Sequence, residues 1–354
     1  MSGEAAEGPA EKTPSQVGSF HTIQALRAVA ALLVVLYHAF ELWGLRVDPA
    51  APGVKWTNGA SGVDIFFAIS GFVMVISSRR LVDRPGGWRA FFWHRVIRIV
   101  PLYWMLTTLK IVGVVLLPAI ILRTSLDFYS VAASYLFLPV VDTAGHFRPV
   151  LPVGWTLTYE FLFYLLFAAA LALRTDVLRI IVPGLGLIAG VALFRSETWP
   201  DWTVLFNTIV LEFIFGVVLA QWTLRGFRLP PAIAAAFVVG GFVAILVMPM
   251  GSENLRVLTW GLPAFAIVAG AVSLEPLVSP SLPRWMLALG DASYSIYLGH
   301  GFVLPTPMLL MGKFASPGLW AEGSTIMLCL ATSSIAGWVL FVLVENPMLR
   351  FLRR

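Results

Sequence analysis

Charge is what this chain of 354 residues most lacks. Only 12% of its positions are Asp, Glu, Lys or Arg, where a water-soluble domain carries about a quarter. A surface so poor in charge excludes an ordinary soluble enzyme or binding domain. Cysteine is reduced to Cys329, which excludes a disulfide framework and leaves the redox compartment open. The five histidines are scattered and none pairs at ligand spacing, so no metal site is expected. No internal repeat recurs, a weak argument against secondary transporters. The net charge of +5 lies mostly in short loops that would meet anionic lipid, and gives no reason to invoke nucleic acid.

What the chain has in abundance is apolar sequence: 58% hydrophobic residues and a mean hydropathy of +0.85. Runs long enough to cross a bilayer lie near 24–43, 61–78, 99–121, 152–173, 177–194, 203–223, 230–249, 256–274, 286–311 and 324–345. They predict an all-α polytopic membrane protein with about ten transmembrane helices. The shorter aromatic segment 126–141 reads as re-entrant or interfacial, with an eleventh span as the alternative. With the N-terminus inside, cytoplasmic loops hold about twice as many Lys and Arg as the opposite loops, which predicts cytoplasmic N- and C-termini in an inner-membrane protein. Residues 1–19 are polar, small and Pro/Gly-bearing, and read as a disordered cytoplasmic tail. Residues 20–354 then form one transmembrane domain.

Ionisable residues inside such spans are costly, and each is a functional candidate. Arg27 and His38 are eleven positions apart in the first span, which sets them on one helix face about 16 Å apart along the axis. Gln24, Ala31 and Val34 share that stripe, and its small residues suit a narrow passage through the bundle. The alternative is that Arg27 and His38 snorkel to opposite headgroup layers. Asp64 opens the second span, with Ala68 and Gly71 on its face, a pattern that also serves close helix packing. Glu160 enters with the fourth span, flanked at helical spacing by Thr156 and Tyr164. His38, Asp64 and Glu160 thus come to comparable depth in the outer half of the membrane, as a site or as a structural ion-pair cluster. In LGDASYSIYLGH, Ser293, Tyr297 and His300 share a stripe and Asp291 is placed to cap the helix. His300 there is either a site residue or a satisfied core histidine. Glu212 is buried without an assignable partner.

The loop 79–98 gathers six arginines, and its latter part reads as an interfacial helix with Trp88, Phe91, Phe92 and Ile99 inward. Arg95 and Arg98, one turn apart, suit a phosphate or pyrophosphate. Simple positive-inside anchoring explains the same charges.

These elements together resemble the acyltransferase-3 family of membrane acyltransferases, in its exopolysaccharide O-acetyltransferase branch. The resemblance rests on IQALRAVAALLVVLYH with Arg27 and His38, GVDIFFAISGF with Asp64, and RVIRIVPLYW with Arg95, Arg98 and Pro101. GWTLTYEFLFY with Glu160, then LEFIFG, LGDASYSIYLGH and the final VENP (Glu345, Asn346, Pro347) complete the order. Each motif is weak alone; their succession over nearly the whole chain is specific. The chain departs from the branch at Thr158, where Asn is usual, and at Gly299, where a larger polar residue precedes the histidine. The resemblance makes either position a candidate for setting acceptor choice, and neither touches the catalytic candidates.

The resemblance implies transfer of an acyl group, usually acetyl, from cytosolic acyl-coenzyme A to a carbohydrate hydroxyl on the outer side, with His38 essential. The acceptor is then an exopolysaccharide or its lipid-linked precursor. Coenzyme A phosphates would rest on Arg95 and Arg98, and the pantetheine arm would run along the Arg27 stripe. A sugar hydroxyl needs a base to attack a thioester near neutral pH. His38 is the candidate base, with Glu160 or Asp64 orienting it and Arg27 or Tyr164 aiding the oxyanion. An acetyl-histidine intermediate is the variant route. Trp155, Tyr164 and His300 stand as candidates to contact substrate. The rival class is a transporter or flippase for a polysaccharide or glycolipid intermediate, which would require neither His38 nor acetyl-CoA. A sensor or scaffold leaves so many buried charges unexplained.

Overall fold

A computed structural model describes residues 20–82, 84–116, 126–142, 145–196, 198–314 and 318–353. The expected tail 1–19 lies outside the described residues, as does the end of the third predicted span. Among the described residues the chain is helical throughout, with only an isolated antiparallel bridge between Val141 and Phe147. In order the α-helices are α1 (His21–Arg46), α2 (Gly62–Ser78), α3 (Gly87–Leu116), α4 (Phe128–Tyr135), α5 (Trp155–Ala172), α6 (Val177–Ala192) and α7 (Leu211–Leu224). There follow α8 (Pro231–Val247), α9 (Leu262–Val278), α10 (Arg284–Asp291), α11 (Ser293–Val303), α12 (Pro305–Phe314), α13 (Leu319–Leu340) and α14 (Asn346–Leu352).

Seven helical segments are long and apolar enough to cross a membrane: 21–46, 58–81, 87–116, 152–172, 201–224, 253–281 and 319–352. Two shorter apolar helices, α6 and α8, accompany them. Large apolar side chains point outward from the bundle, among them Val239, Val247, Leu187 and Leu343. Such a coat belongs in lipid, where every backbone group is satisfied within its own helix.

Two expected elements take a different form. The arginine-rich stretch before residue 99 does not make a separate interfacial helix but is the first part of the 30-residue α3. Phe91 and Ile99 are buried there, while Trp88 faces outward. The run 286–311 is not one continuous helix but three short ones, broken at Ala292 and Leu304. Pro305 follows the second break; it has no N–H to continue the ladder. Asp291 ends α10 and caps nothing; it accepts a hydrogen bond from Gln24 Nε2 instead.

Small residues set the closest crossings. Gly71 of α2 lies on the backbone of Phe213 and Gly216 in α7, and a methyl at Gly216 would stand 2.6 Å from Phe72 N. The small face of α2 therefore serves helix packing, as GxxxG-type crossings do. Beside it, Phe213 stacks between Phe67 at 4.4 Å and Phe163 at 4.5 Å, joining α2, α5 and α7. The N-terminus of α1 is capped from afar: Glu275 of α9 accepts from His21 N at 2.9 Å and Thr22 N at 2.8 Å. A carboxylate there satisfies orphan amides and opposes the helix dipole.

Candidate active site

Helices α1, α2, α3, α5 and α11 enclose a cavity of about 830 Å³, counting its open mouth. Arg27, Arg95 and Arg98 all line it, with Ser70, Glu160 and Tyr164. The structure thus brings together the three arginines singled out in the sequence. The cavity follows α2 from Met74 to Val63, a rise of about 16 Å. Its walls change along the way, from guanidiniums at one end to Phe66, Phe67 and Tyr297 at the other.

The arginines are held differently. Arg27 donates to Gln24 Oε1 at 3.2 Å, one turn back on α1. Arg95 donates from Nη2 to Ser77 Oγ at 3.1 Å and lies over the Phe91 ring. Its Nε is buried with no hydrogen-bond partner, and so is Ser293 Oγ at the start of α11. Two unfilled polar groups in one cavity leave room for an acceptor-rich ligand. Arg98 is committed elsewhere: it pairs with the fully buried Glu345, which also accepts from Ser295 Oγ at 2.5 Å. Glu345 ends a π-helical turn, Phe341–Glu345, between α13 and α14. The VENP segment therefore anchors α14 and α11 to α3 through one carboxylate.

His38 does not meet either expected carboxylate. Its Nδ1–H donates to the Val34 carbonyl at 2.9 Å within α1, leaving Nε2 as the acceptor nitrogen. Its ring faces that of His300, with centroids 4.9 Å apart. His300 is anchored in the same way, Nδ1 to Ile296 O at 3.3 Å, and is buried. Tyr297, one turn earlier on α11, stands 6.4 Å from His300 and reaches the cavity. Its hydroxyl lies 2.9 Å from Thr156 Oγ1 on α5. The rings of His38, His300 and Tyr297 therefore follow one another toward the cavity.

Glu160 accepts from Tyr164 Oη and from Ser70 Oγ at 3.1 Å. It lies in the cavity wall, not behind the His38 ring. Asp64 is buried and bound by both arms of Arg256, at 3.0 and 2.8 Å, across 192 positions of sequence. Glu212 lies against the same pair, packed on Gly261 of a π-turn, Val257–Gly261, that leads into α9. The grouping of His38, Asp64 and Glu160 expected from depth alone resolves into separate sites, and Arg256 at the start of the π-turn is the partner of Asp64. The Ala31–Val34 stripe is filled: both residues are fully buried in the packing around α1. The passage runs instead between α2 and α5. Trp155 does not line it; its ring packs edge-on against Tyr159 at 5.9 Å.

The sequence pattern of the acyltransferase-3 family, described as an acyltransferase domain, matches residues 20–343. The chain is 35% identical to the exopolysaccharide production protein ExoZ of Rhizobium meliloti (strain 1021), over 89% of this chain and 95% of that protein. It is 26% identical to the acyltransferase MdmB of Streptomyces mycarofaciens, over 96% and 94% of the two chains. The peptidoglycan O-acetyltransferase OatA of Listeria monocytogenes is also 26% identical, over 92% of this chain and 55% of that longer protein. No solved structure matches the chain. With the family pattern covering nearly every described helix, this chain belongs to the acyltransferase-3 family of acyltransferases.

Proposed function

We propose that the protein transfers an acetyl group from cytosolic acyl-coenzyme A to a hydroxyl of an exported polysaccharide sugar. One observation carries this reading: a single cavity runs from three arginines at one end to Tyr297 at the other, whose ring stands beside His300 and, behind it, His38. The relatives named for exopolysaccharide production and peptidoglycan O-acetylation support the choice of a carbohydrate acceptor. The arrangement assumes ten membrane-crossing segments over residues 20–354, cytoplasmic termini and an inner-membrane location. The three broken helices α10–α12 and the shorter α6 and α8 then make up the crossings beyond the seven long ones.

In this reading the donor's phosphates rest on Arg95, Arg27 and the amino end of α11, where the helix dipole favours anions. Arg98 contributes less, because Glu345 offsets its charge. The pantetheine arm lies along Phe66 and Phe67 and brings the thioester to the histidines. His38 Nε2 removes the proton from the acceptor hydroxyl as the sugar oxygen attacks the thioester carbonyl. The carbon–sulfur bond then breaks, and the leaving thiolate takes the proton from His38. The Val34 carbonyl fixes the tautomer, the part a carboxylate plays in many histidine bases. Glu160 and Tyr164 shape the donor channel, and His300 positions the His38 ring beside the acceptor.

The test is polysaccharide O-acetylation, read by proton NMR, in a deletion strain complemented with wild type or His38→Ala at matched membrane levels. Restoration by wild type alone is expected. Unchanged acetylation in the deletion strain together with reduced polymer export would overturn the reading in favour of a transporter.

A further inference from the structure

A second cleft opens beside His38, on the flank of α1 away from the arginines. It is lined by Tyr37, Glu41, Leu45, Pro49, Trp56 and Thr57 and encloses about 660 Å³, counting its open mouth. Tyr37 adjoins His38 in the chain and packs edge-on against its ring, with centroids 4.8 Å apart. Glu41 is one turn further along α1, flanking both residues. Trp56 comes from the segment between α1 and α2 and is held on two sides. Its ring stands edge-on to Phe40 at 5.8 Å, and Nε1 donates to Leu246 O of α8 at 3.4 Å. Gly59 lets the two aromatics converge: a methyl there would lie 3.1 Å from both Trp56 Cζ3 and Tyr37 Cβ.

We infer that this cleft seats one pyranose unit of the acceptor chain and so sets which sugar presents its hydroxyl to His38. This rests on the acyl-transfer reading and names the acceptor subsite within it. A pyranose has an apolar C–H face, which rests on an electron-rich aromatic face, and a rim of hydroxyls, which donate to a carboxylate. Trp56 and Tyr37 supply the first and Glu41 the second. None of the described lining residues is Lys or Arg, so the cleft is unsuited to the donor's phosphates. Donor and acceptor therefore approach the histidines from separate cavities, one reaching them through Tyr297 and the other through Tyr37.

The experiment uses the full chain in detergent with radiolabelled acetyl-CoA. The acceptors are unacetylated polysaccharide fragments from the deletion strain, assayed side by side as released chains and as lipid-linked chains. Whichever form is acetylated, Trp56→Ala is expected to raise the acceptor KM about tenfold, and Glu41→Gln also raises it. The KM for acetyl-CoA stays within about twofold, as the separate cavities require. Trp56→Phe, which keeps an aromatic face, retains most of the acceptor affinity and controls for folding. An unchanged acceptor KM in both Trp56→Ala and Glu41→Gln overturns the inference, as does an equal loss in Trp56→Phe. Saturation-transfer NMR with the same fragments reads binding without turnover. Absence of transfer by the wild type would therefore defeat the acyl-transfer reading, while loss of saturation transfer in Trp56→Ala would still uphold the cleft.

Discussion

His38 and His300 face each other across 4.9 Å, and each ring spends its Nδ1–H on a carbonyl one turn back in its own helix. Two imidazoles held this way keep both Nε2 atoms available and cannot easily rotate. Substitution of His38 by Ala or Gln is expected to lower acetyl transfer at least about 100-fold, the usual worth of a general base. His300→Gln, which keeps a polar side chain of similar reach, retains more activity than His38→Gln. Initial rates at saturating acetyl-CoA check the order, and equal rates in the two variants contradict it.

Asp64 and Arg256 form a structural pair. Asp64→Ala removes the carboxylate that binds the Arg256 guanidinium and leaves the unbonded Glu212 beside it, at a cost of about 3–5 kcal/mol. The double variant Asp64→Leu/Arg256→Met removes both charges and is expected to recover most of the lost thermal stability. Melting of the detergent-solubilised proteins decides between this and a direct role for Asp64. A double variant that folds like wild type yet transfers nothing would place Asp64 in the chemistry.

The two arginines of α3 should separate by kind of defect. Arg95→Ala is expected to raise the KM for acetyl-CoA about tenfold with little loss of stability, since Arg95 releases one hydrogen bond to Ser77 and its contact with the Phe91 ring. Arg98→Ala exposes the opposite problem: Glu345 is fully buried and loses its cation. That variant melts early, and Glu345→Gln in the same chain restores it. Parallel KM and unfolding measurements read both, and an Arg98→Ala protein of wild-type stability removes the anchoring role.

Gly216 lies on the backbone of α2, so Gly216→Ala must push α2 and α7 apart. The expected loss is about 1–3 kcal/mol, typical of overpacking at a tight contact. Gly186 has open space around its Cα, and Gly186→Ala in α6 serves as the control. A thermal melt that ranks the two alike would show that the crossing can relax.

What could be read in the sequence was whatever one helix carries by itself. Arg27, Arg95 and Arg98 stand out because charge is rare in an apolar run, and they do share a cavity with Glu160 and Tyr164. Periodicity along a single span gives the azimuth of a residue but not the identity of its neighbour. Asp64 and Glu160 were therefore legible as buried carboxylates, and Tyr164 as the neighbour of Glu160 on its own helix, while the partners on other elements, Arg256 and Ser70, were not. Arg256 was hidden further because loop arginines are counted for topology, and it sits where a loop becomes a π-turn. The break in the run 286–311 had a visible signal in Pro305, outweighed by the apolar character of the whole stretch. The aromatic cleft beside His38 left no periodic trace, since Trp56 and Thr57 lie in an irregular connection.

The two short apolar helices bear on how a water-loving polymer meets this enzyme. At 16 and 17 residues, α6 and α8 reach roughly 24–26 Å, short of a hydrocarbon layer about 30 Å thick. A bilayer meeting such a mismatch thins locally. The far end of α8 is tied to the aromatic cleft: Asn58 donates to Ile245 O and Met248 O, and Trp56 to Leu246 O. If α6 and α8 cross as proposed, the lipid surface dips beside Trp56, lowering the oily rim that the proposed saccharide acceptor would otherwise have to skirt. Transfer rates in reconstituted vesicles should consequently fall as lipid chains lengthen, an influence of membrane thickness on sugar chemistry that no substitution in the cavity would reproduce.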